Sequence, residues 1–201
     1  MNAAPEPAAP RASGTKAELR RRLLAAREET TEAERDRAGS AIRDAVAVLP
    51  QLSMGGTVAA YYSVGTEPDT RKLVATLWKQ GVYVLLPVFL PGGALDWAAY
   101  EGPDSLAPAR FGLLEPTGPR YGTEAVARAA AVVCPALAVD RAGRRLGKGA
   151  GCYDRALSLV GPNTLTLGVI YDTEFLDEVP AEPHDRAVQG VVTPGGGVRM
   201  L

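Results

Sequence analysis

The fold is decided by residues 131–160, which read AVVCPALAVDRAGRRLGKGAGCYDRALSLV. Residues 131–139 form an apolar run of strand length, which is the pattern of a strand buried on both faces. Residues 154–160 carry apolar side chains at helical spacing and stop at Gly161-Pro162, a common helix exit. A glycine-rich basic turn therefore joins a predicted buried strand to a predicted helix.

The turn has the composition of a phosphate-binding loop. The turn contains three glycines, Gly147, Gly149 and Gly151, which allow successive backbone N–H groups to converge on an anion. The helix that follows adds the positive end of its dipole. Nearby cations can add charge-assisted hydrogen bonds to phosphate oxygens: Arg144, Arg145 and Lys148. Asp154, at the predicted helix start, is placed to hold a divalent metal that bridges those oxygens.

Spacing excludes two known glycine motifs. The turn is one residue short of a Walker A loop and lacks Ser or Thr after Lys148, and its glycines do not have the dinucleotide spacing. On spacing alone, an ordinary glycine-rich loop with solvated arginines explains the turn equally well. Asp154 alone also fits an ordinary residue of a first helical turn.

The rest of the chain predicts an α/β fold. Capping boxes begin two helices, at Thr15 and Thr31, and Gly81 ends a third helix that carries Leu73 to Trp78. A short helix is expected at residues 123–130, and β-rich runs predict further strands at 57–64, 82–87, 95–100 (an edge strand), 164–172 and 188–193. We expect a single domain with a mostly parallel sheet and helices on both faces, Rossmann-like in layering but without a dinucleotide fingerprint.

Composition narrows the class of protein. The 201 residues carry a net charge of −1, which argues against a dedicated nucleic-acid binder. Two cysteines make no disulfide framework, and no segment has the apolar length of a membrane span. Residues 1–14 are rich in Ala and Pro and predict a disordered leader before a domain at 15–201. We expect a cytoplasmic monomer.

The segment Arg145-Leu146-Gly147-x-Gly149-x-Gly151-x-Tyr153-Asp154-Arg155 resembles the signature of the 5-formyltetrahydrofolate cyclo-ligase family. Further landmarks occur in the family's order from Lys16 onward: Lys16-x-x-Leu19-Arg20, Glu67-Pro68-x-Thr70, Gly112-x-x-Glu115-Pro116, and His184-Asp185 followed by Val191-Val192-Thr193-Pro194. Ala150 and Cys152 depart from the pattern, which usually has Gly and often an aromatic residue there. The resemblance implies ATP-dependent cyclisation of 5-formyltetrahydrofolate to 5,10-methenyltetrahydrofolate, with Mg²⁺.

The resemblance also implies roles for individual residues. It assigns ATP binding to Lys16, Arg20, Arg145, Gly147, Lys148, Gly149, Gly151 and Tyr153. It assigns the folate substrate to Glu67, Tyr62, Lys148 and Tyr153, and Mg²⁺ to Asp154 and Asp185. An acceptor-only carboxylate at Glu67 suits the N–H donors of a pterin edge. His184 is given no catalytic role, because a single histidine is more often a surface or hydrogen-bonding residue.

Three other readings stay open. The chain fits a folate- or nucleotide-binding regulator that has lost turnover, a reading that Ala150 and Cys152 favour. It also fits an ATP-dependent enzyme of the same scaffold with a non-folate substrate, which the Glu67 segment argues against. A nucleic-acid module is a more distant alternative, and the salt dependence of any binding would test it.

Overall fold

The computed structural model describes residues 14–52 and 55–201, so that the predicted leader, apart from Gly14, lies outside the described residues. Helices and strands follow one another in this order: α1 (Lys16–Glu28), α2 (Glu32–Val46), β1 (Thr57–Ala59), α3 (Arg71–Lys79), β2 (Tyr83–Phe89), β3 (Leu95–Ala99), β4 (Leu106–Pro108), β5 (Leu114–Pro116), β6 (Ala131–Pro135), β7 (Ala138–Asp140), β8 (Arg145–Leu146), α4 (Cys152–Leu157), β9 (Leu165–Val169), β10 (Phe175–Leu176), β11 (Gly190–Thr193) and β12 (Gly197–Met200). Both predicted capping boxes are present, with Thr15 and Thr31 as N-cap residues.

A seven-stranded sheet forms the centre of the molecule, in the order β12-β11-β9-β6-β1-β2-β3. The five inner strands are parallel, and the two edge strands pair antiparallel with their neighbours. From β1 the chain crosses to β2 on one side, and from β6 it crosses to β9 on the other side. The carboxyl ends of β1 and β6 therefore flank a topological switch point, where open α/β sheets bind their ligands.

Helices cover both faces of this sheet, as predicted. Alternate side chains of β2 and β6 point to opposite faces. On one face they pack against α2 and α3. On the other face they pack against α4 and a 3-10 helix at Thr123–Arg128. The predicted α/β class and the mostly parallel sheet are confirmed.

A second layer lies beside the main sheet and was not expected. Strands β10, β7 and β8 form a small sheet in that order. The apolar side of α1 packs here rather than on the main sheet, through a separate buried cluster: Leu19, Leu23, Leu137, Ala138, Leu146, Leu176 and Val179. This layer places α1 and the glycine turn next to each other at one end of the main sheet.

The prediction of one strand over residues 131–139 was wrong, because the run divides into β6 and β7. Pro135 has no N–H to donate and is the last residue of β6. The run stays apolar beyond it because Leu137 and Ala138 are buried against α1. Helix α4 also begins at Cys152 and ends at Leu157, earlier than predicted at both ends. The glycine turn thus follows a β7–β8 hairpin instead of a strand of the main sheet.

Strand β1 is shorter than the predicted 57–64 and ends at Ala59. Ala60 still donates its N–H to the Leu85 carbonyl of β2, but from Tyr61 onward side chains bind the backbone: Thr70 Oγ1 donates to the Tyr61 carbonyl, and the Ser63 N–H donates to Thr70 Oγ1. Strand β12 and the β4–β5 hairpin were not predicted. Within the part of the chain that the structure describes, none of the helices has the length and apolar character that a membrane crossing requires.

Candidate active site

A cavity of about 870 Å³ opens at the switch point between β1 and β6. Its lining includes Pro135 at the end of β6 and Tyr61 just after β1, together with the N-terminal half of α1. All the residues that the sequence predicted for ATP, folate and metal line this one cavity: Lys16, Arg20, Tyr62, Glu67, Arg145, Gly147, Lys148, Gly149, Gly151, Tyr153, Asp154 and Asp185. The fold therefore brings together segments that are far apart in the sequence.

The glycine turn uses backbone angles that favour glycine. Gly149 has φ +109° and Gly151 has φ +66°, in the left-handed half of the map that side chains rarely adopt. Ala150, between them, has no positive φ, so that the departure at this position costs the backbone nothing. Arg20 of α1 donates from Nε to the Gly147 carbonyl over 2.8 Å, which ties the helix to the turn.

Most of the lysines and arginines in the cavity lie beside a carboxylate. Three of the predicted cations each form an ion pair with a predicted carboxylate: Lys16 with Asp185 (2.5 Å), Arg145 with Asp154 (2.8 Å) and Lys148 with Glu67 (2.7 Å). Arg145 is buried and also donates to the Pro135 carbonyl over 3.1 Å. Its Nε, in contrast, is buried without a partner among the described residues. Arg144 does not line the cavity and pairs with Asp140 instead.

The two predicted metal ligands lie in one region of the cavity. Asp154 Oδ1 accepts hydrogen bonds from Arg145 and from the backbone N–H of Arg186, the residue after Asp185. Both bonds use Oδ1, and the structure gives Asp154 Oδ2 no hydrogen bond from the described residues. Oδ2 of Asp185 is bound by Lys16, whereas its Oδ1 lies 3.7 Å from His184 Nε2. Two carboxylates with an oxygen each to offer fit a hard divalent cation.

The ion pair between Lys16 and Asp185 also shifts the pKa values of both side chains. Burial alone would raise the pKa of Asp185, but the Lys16 ammonium and the Glu182 N–H hold it below its ordinary value. Burial would lower the pKa of Lys16, but its hydrogen bonds to Asp185 and Glu182 raise it. At neutral pH both groups are therefore charged.

The folate end predicted from the sequence contains Glu67 and two tyrosines. Glu67 is 8% exposed, and its Oε2 accepts the Val64 N–H over 3.0 Å while Oε1 faces Lys148. The Tyr62 ring lies 6.3 Å from the ring of Tyr100, in a tilted arrangement. The Tyr153 hydroxyl is buried with no partner among the described residues, and burial raises the pKa of this phenol well above its ordinary value. Tyr153 therefore offers a neutral O–H donor.

Several residues of the cavity were missed by sequence reasoning. Arg27 lines it and is 2% exposed, in an ion pair with Glu174. Phe111 stands at its edge, 84% exposed and with φ +60°.

Burial raises the pKa of Cys134 to about 11 and the pKa of Cys152 above its ordinary value. Neither thiol is therefore suited to nucleophilic attack.

The profile of the 5-formyltetrahydrofolate cyclo-ligase family matches residues 12–194. The chain belongs to this family. It is 43% identical over 192 residues to a 5-formyltetrahydrofolate cyclo-ligase of Mycolicibacterium smegmatis, which covers 93% of this chain and 97% of the relative. It is 33% identical over 148 residues to the enzyme of that name from Escherichia coli K12, with coverage of 72% and 81%.

Two solved structures share the fold. A methenyltetrahydrofolate synthetase of Aquifex aeolicus, determined by NMR, has a TM-score of 0.78 and 30% identity, and covers 92% of each chain. A synthetase of the same name from Mycoplasma pneumoniae has a TM-score of 0.68 over 88% of this chain and 96% of that one. At 17% identity the second match supports the fold alone.

Proposed function

We propose that this enzyme uses ATP to cyclise 5-formyltetrahydrofolate to 5,10-methenyltetrahydrofolate, releasing ADP and phosphate. The observation that carries the proposal is the single cavity at the switch point, in which a glycine turn with cations lies beside a buried carboxylate acceptor. The family to which the chain belongs has this activity in its name. We expect the reaction to occur in the cytoplasm and on a monomer.

The reaction needs a better leaving group on the formyl carbon. Transfer of the γ-phosphoryl group of ATP to the formyl oxygen converts that oxygen from a poor leaving group into a phosphate. N10 of the folate then attacks the formyl carbon, N10 loses its proton, and the C–O bond breaks to release phosphate. The protein has mainly to align donor and acceptor and to neutralise charge in the transition state.

The nucleotide part of the work falls to α1 and the glycine turn. Backbone N–H groups of Gly147, Gly149 and Gly151 cradle phosphate oxygens, and cations from the turn and from α1 neutralise them: Lys16, Arg20, Arg145 and Lys148. Lys16 and Arg145 are paired with the carboxylates of Asp185 and Asp154. When phosphate oxygens take over as partners of the two cations, these carboxylates become available to hold a metal. Asp154 and Asp185 would hold Mg²⁺, which supplies charge neutralisation on the phosphates when bound.

The folate part of the work falls to Glu67, Tyr62, Lys148 and Tyr153. Glu67 accepts N–H donors of the pterin edge, and Tyr62 packs on the ring system. Lys148 bridges the two parts, since it pairs with Glu67 and belongs to the glycine turn. The buried Tyr153 hydroxyl has an unused O–H to donate near the transferred group.

A non-catalytic regulator is the second candidate, because Cys152 replaces an aromatic residue that the family often has in the turn. It would bind folate and nucleotide in the same cavity without turnover. Ala150 does not favour it, since the backbone there has no positive φ.

Ultraviolet absorbance of the purified protein with 5-formyltetrahydrofolate and Mg-ATP tests the proposal. The conjugated methenyl product is expected to accumulate only when ATP, folate and Mg²⁺ are all present. Tight folate binding without product would support the regulator. No folate binding would contradict the proposed substrate.

A further inference from the structure

Arg27, in the last turn of α1, forms a buried ion pair that the assigned roles leave out. Its Nε and Nη2 bind the two carboxylate oxygens of Glu174 over 2.7 and 2.8 Å, a side-on bidentate arrangement. Nη2 also donates to the Ala136 carbonyl over 2.6 Å. The guanidinium is therefore fixed in one orientation, with one edge fully bound.

The face of the guanidinium lies over the Tyr171 ring, 5.5 Å from Cζ to the ring centroid, but its other edge has no hydrogen-bond partner among the described residues. The remaining two N–H donors are on Nη1, to which the structure gives no hydrogen bond from the described residues. Burial alone would lower the pKa of Arg27, but the hydrogen bonds that it donates to Glu174 raise it, so that the group stays charged. Arg27 also lines the cavity. A fixed, charged donor pair at a cavity wall is a site for an acceptor atom.

The position of Arg27 indicates which ligand this is. It donates to the carbonyl of Ala136, directly after β6, and its charge lies within electrostatic range of Glu67, in the segment after β1. It therefore lies on the side of the cavity assigned to folate, whereas Lys16 and Arg20 occupy the opposite half of α1 next to the glycine turn.

We propose that Arg27 contacts the substrate and donates from Nη1 to the 4-oxo oxygen of the pterin ring. This inference rests on the proposed function. The pterin edge presents N–H donors beside that carbonyl oxygen, so that a carboxylate and a guanidinium together match its pattern: Glu67 takes the donors and Arg27 takes the acceptor. Arg27 is then a specificity residue, because a 4-amino pteridine would present a donor to a donor.

A purely structural role predicts something different. Arg27 also links α1 to Ala136 and to Glu174, so that its loss could shift the whole helix. A shifted helix would weaken the binding of ATP and of folate together, because Lys16 and Arg20 would move with the helix. Discrimination between 4-oxo and 4-amino pteridines would not change.

The experiment measures the dissociation constants of 5-formyltetrahydrofolate, its 4-amino counterpart and ATP by titration calorimetry. The variants are Arg27→Met combined with Glu174→Gln, which removes both charges, and Glu174→Gln alone, which keeps the donors on Nη1. For the wild type we expect at least about tenfold preference for the 4-oxo compound, the magnitude of one charge-assisted hydrogen bond. The preference should fall at least severalfold in the double variant, where Glu67 alone still favours the N3–H of the 4-oxo compound, and persist in Glu174→Gln, while the dissociation constant of ATP changes less than about threefold.

Several results would overturn the proposal. One is a wild type that binds both pteridines equally, a measurement that needs no variant to fold. Another is a double variant that keeps the preference for the 4-oxo compound. A third is a double variant whose affinities for ATP and for both pteridines fall in equal proportion. A wild type that binds neither pteridine contradicts the proposed function itself, and is distinguished from the other outcomes by the absence of any folate signal.

Discussion

The two walls of the cavity are built on different principles. The strand-end wall consists of Pro135, which ends β6, and of Tyr61, Tyr62 and Glu67, which lie in the segment after β1. It continues into a core whose side chains are 0% exposed: Val58, Val133 and Leu167. The charged wall consists of the N-cap Thr15 and the first turns of α1, the turn 147–151 with Arg145 and Asp154 on either side of it, and residues 180–182, 184 and 185. Hydrogen bonds and ion pairs join the parts of the charged wall to one another.

The difference separates stability from ligand binding. Apolar packing holds the strand-end wall, and its loss costs free energy of unfolding wherever it occurs. The groups that hold the charged wall together are the same groups assigned to phosphate and metal, as the Lys16–Asp185 and Arg145–Asp154 pairs show. Substitutions in the charged wall should therefore change binding and turnover more than stability, and substitutions in the core should do the opposite.

The largest effect is expected for Asp154→Asn in the charged wall. Loss of the proposed metal ligand should lower turnover roughly a thousandfold, equivalent to about 4 kcal/mol in the barrier. The measurement is the rate of methenyl product formation across a range of Mg²⁺ concentrations.

Asp140→Asn is the matched control. Asp140 is buried and, like Asp154, is paired with an arginine, here Arg144 at 2.6 Å, but neither Asp140 nor Arg144 lines the cavity. Its loss should lower stability and leave turnover within a few fold. Equal losses of turnover in both variants would mean that Asp154 acts only through the fold.

The next effect is expected in the core behind the strand-end wall. Leu167→Ala on β9 should lower the free energy of unfolding by about 3 kcal/mol, since it leaves a cavity at a fully buried position. Urea denaturation measures this, and the KM for ATP should stay unchanged. Leu24→Ala, at a position 36% exposed on α1, should cost less than about 1 kcal/mol. A large rise in KM for Leu167→Ala would remove the distinction between the walls.

A smaller effect is expected in the glycine turn. Gly149→Ala forces a side chain into φ +109°, although the space around its Cβ is adequate, the nearest atom being 3.6 Å away on Arg20. The turn should relax out of shape, and ATP should bind roughly tenfold more weakly, about 1.4 kcal/mol. Calorimetric titration measures the affinity. Gly161→Ala, with ordinary φ and open surroundings, should bind ATP normally; a matching loss there would argue against backbone strain as the cause.

The smallest effect concerns the pH dependence of the Lys16–Asp185 pair. The folded pKa of Asp185 lies below its ordinary value of 3.8, so that the pair stabilises the fold above that value and loses this contribution as pH falls through the folded pKa. Wild type should therefore exceed Lys16→Met in stability by less than about 1 kcal/mol at pH 7, and the difference should shrink toward pH 3.

Urea denaturation at the two pH values measures the difference. Lys72→Met, which removes a surface pair with Asp36 at 2.6 Å outside the cavity, is the control for loss of a lysine. A difference for Lys16→Met that grows as pH falls would contradict the sign of the Asp185 shift.

Local signals predicted much of the scaffold. Residues close together in the chain form the capping boxes at Thr15 and Thr31 and the apolar runs of β2, β6 and β9. Such local patterns can be recognised in a single sequence. The division of the run 131–139 was not predictable in this way. The hydrophobic periodicity of the run is the same whether a residue is buried within the main sheet, as in β6, or against α1, as Leu137 is.

The site was predictable as a set of residues but not as a set of contacts. The family resemblance assigned Lys16 to ATP, Glu67 to folate and Asp185 to metal, and the structure gathers the three residues in one cavity, while their roles stay predictions. Nothing in the sequence says that Lys16 pairs with Asp185, because that contact depends on the packing of α1 on the small sheet. Arg27 was missed for the same reason, since its partner Glu174 lies near the other end of the chain.

In the proposed reaction, the cavity sets the γ-phosphate of ATP against the formyl oxygen of the folate. The most direct test uses 5-formyltetrahydrofolate labelled with ¹⁸O in the formyl group, with mass analysis of the phosphate released during turnover. We expect the label to leave in inorganic phosphate, one atom for each methenyl product formed. Unlabelled phosphate with the label released as water would contradict it, because the formyl oxygen would then never have accepted the phosphoryl group.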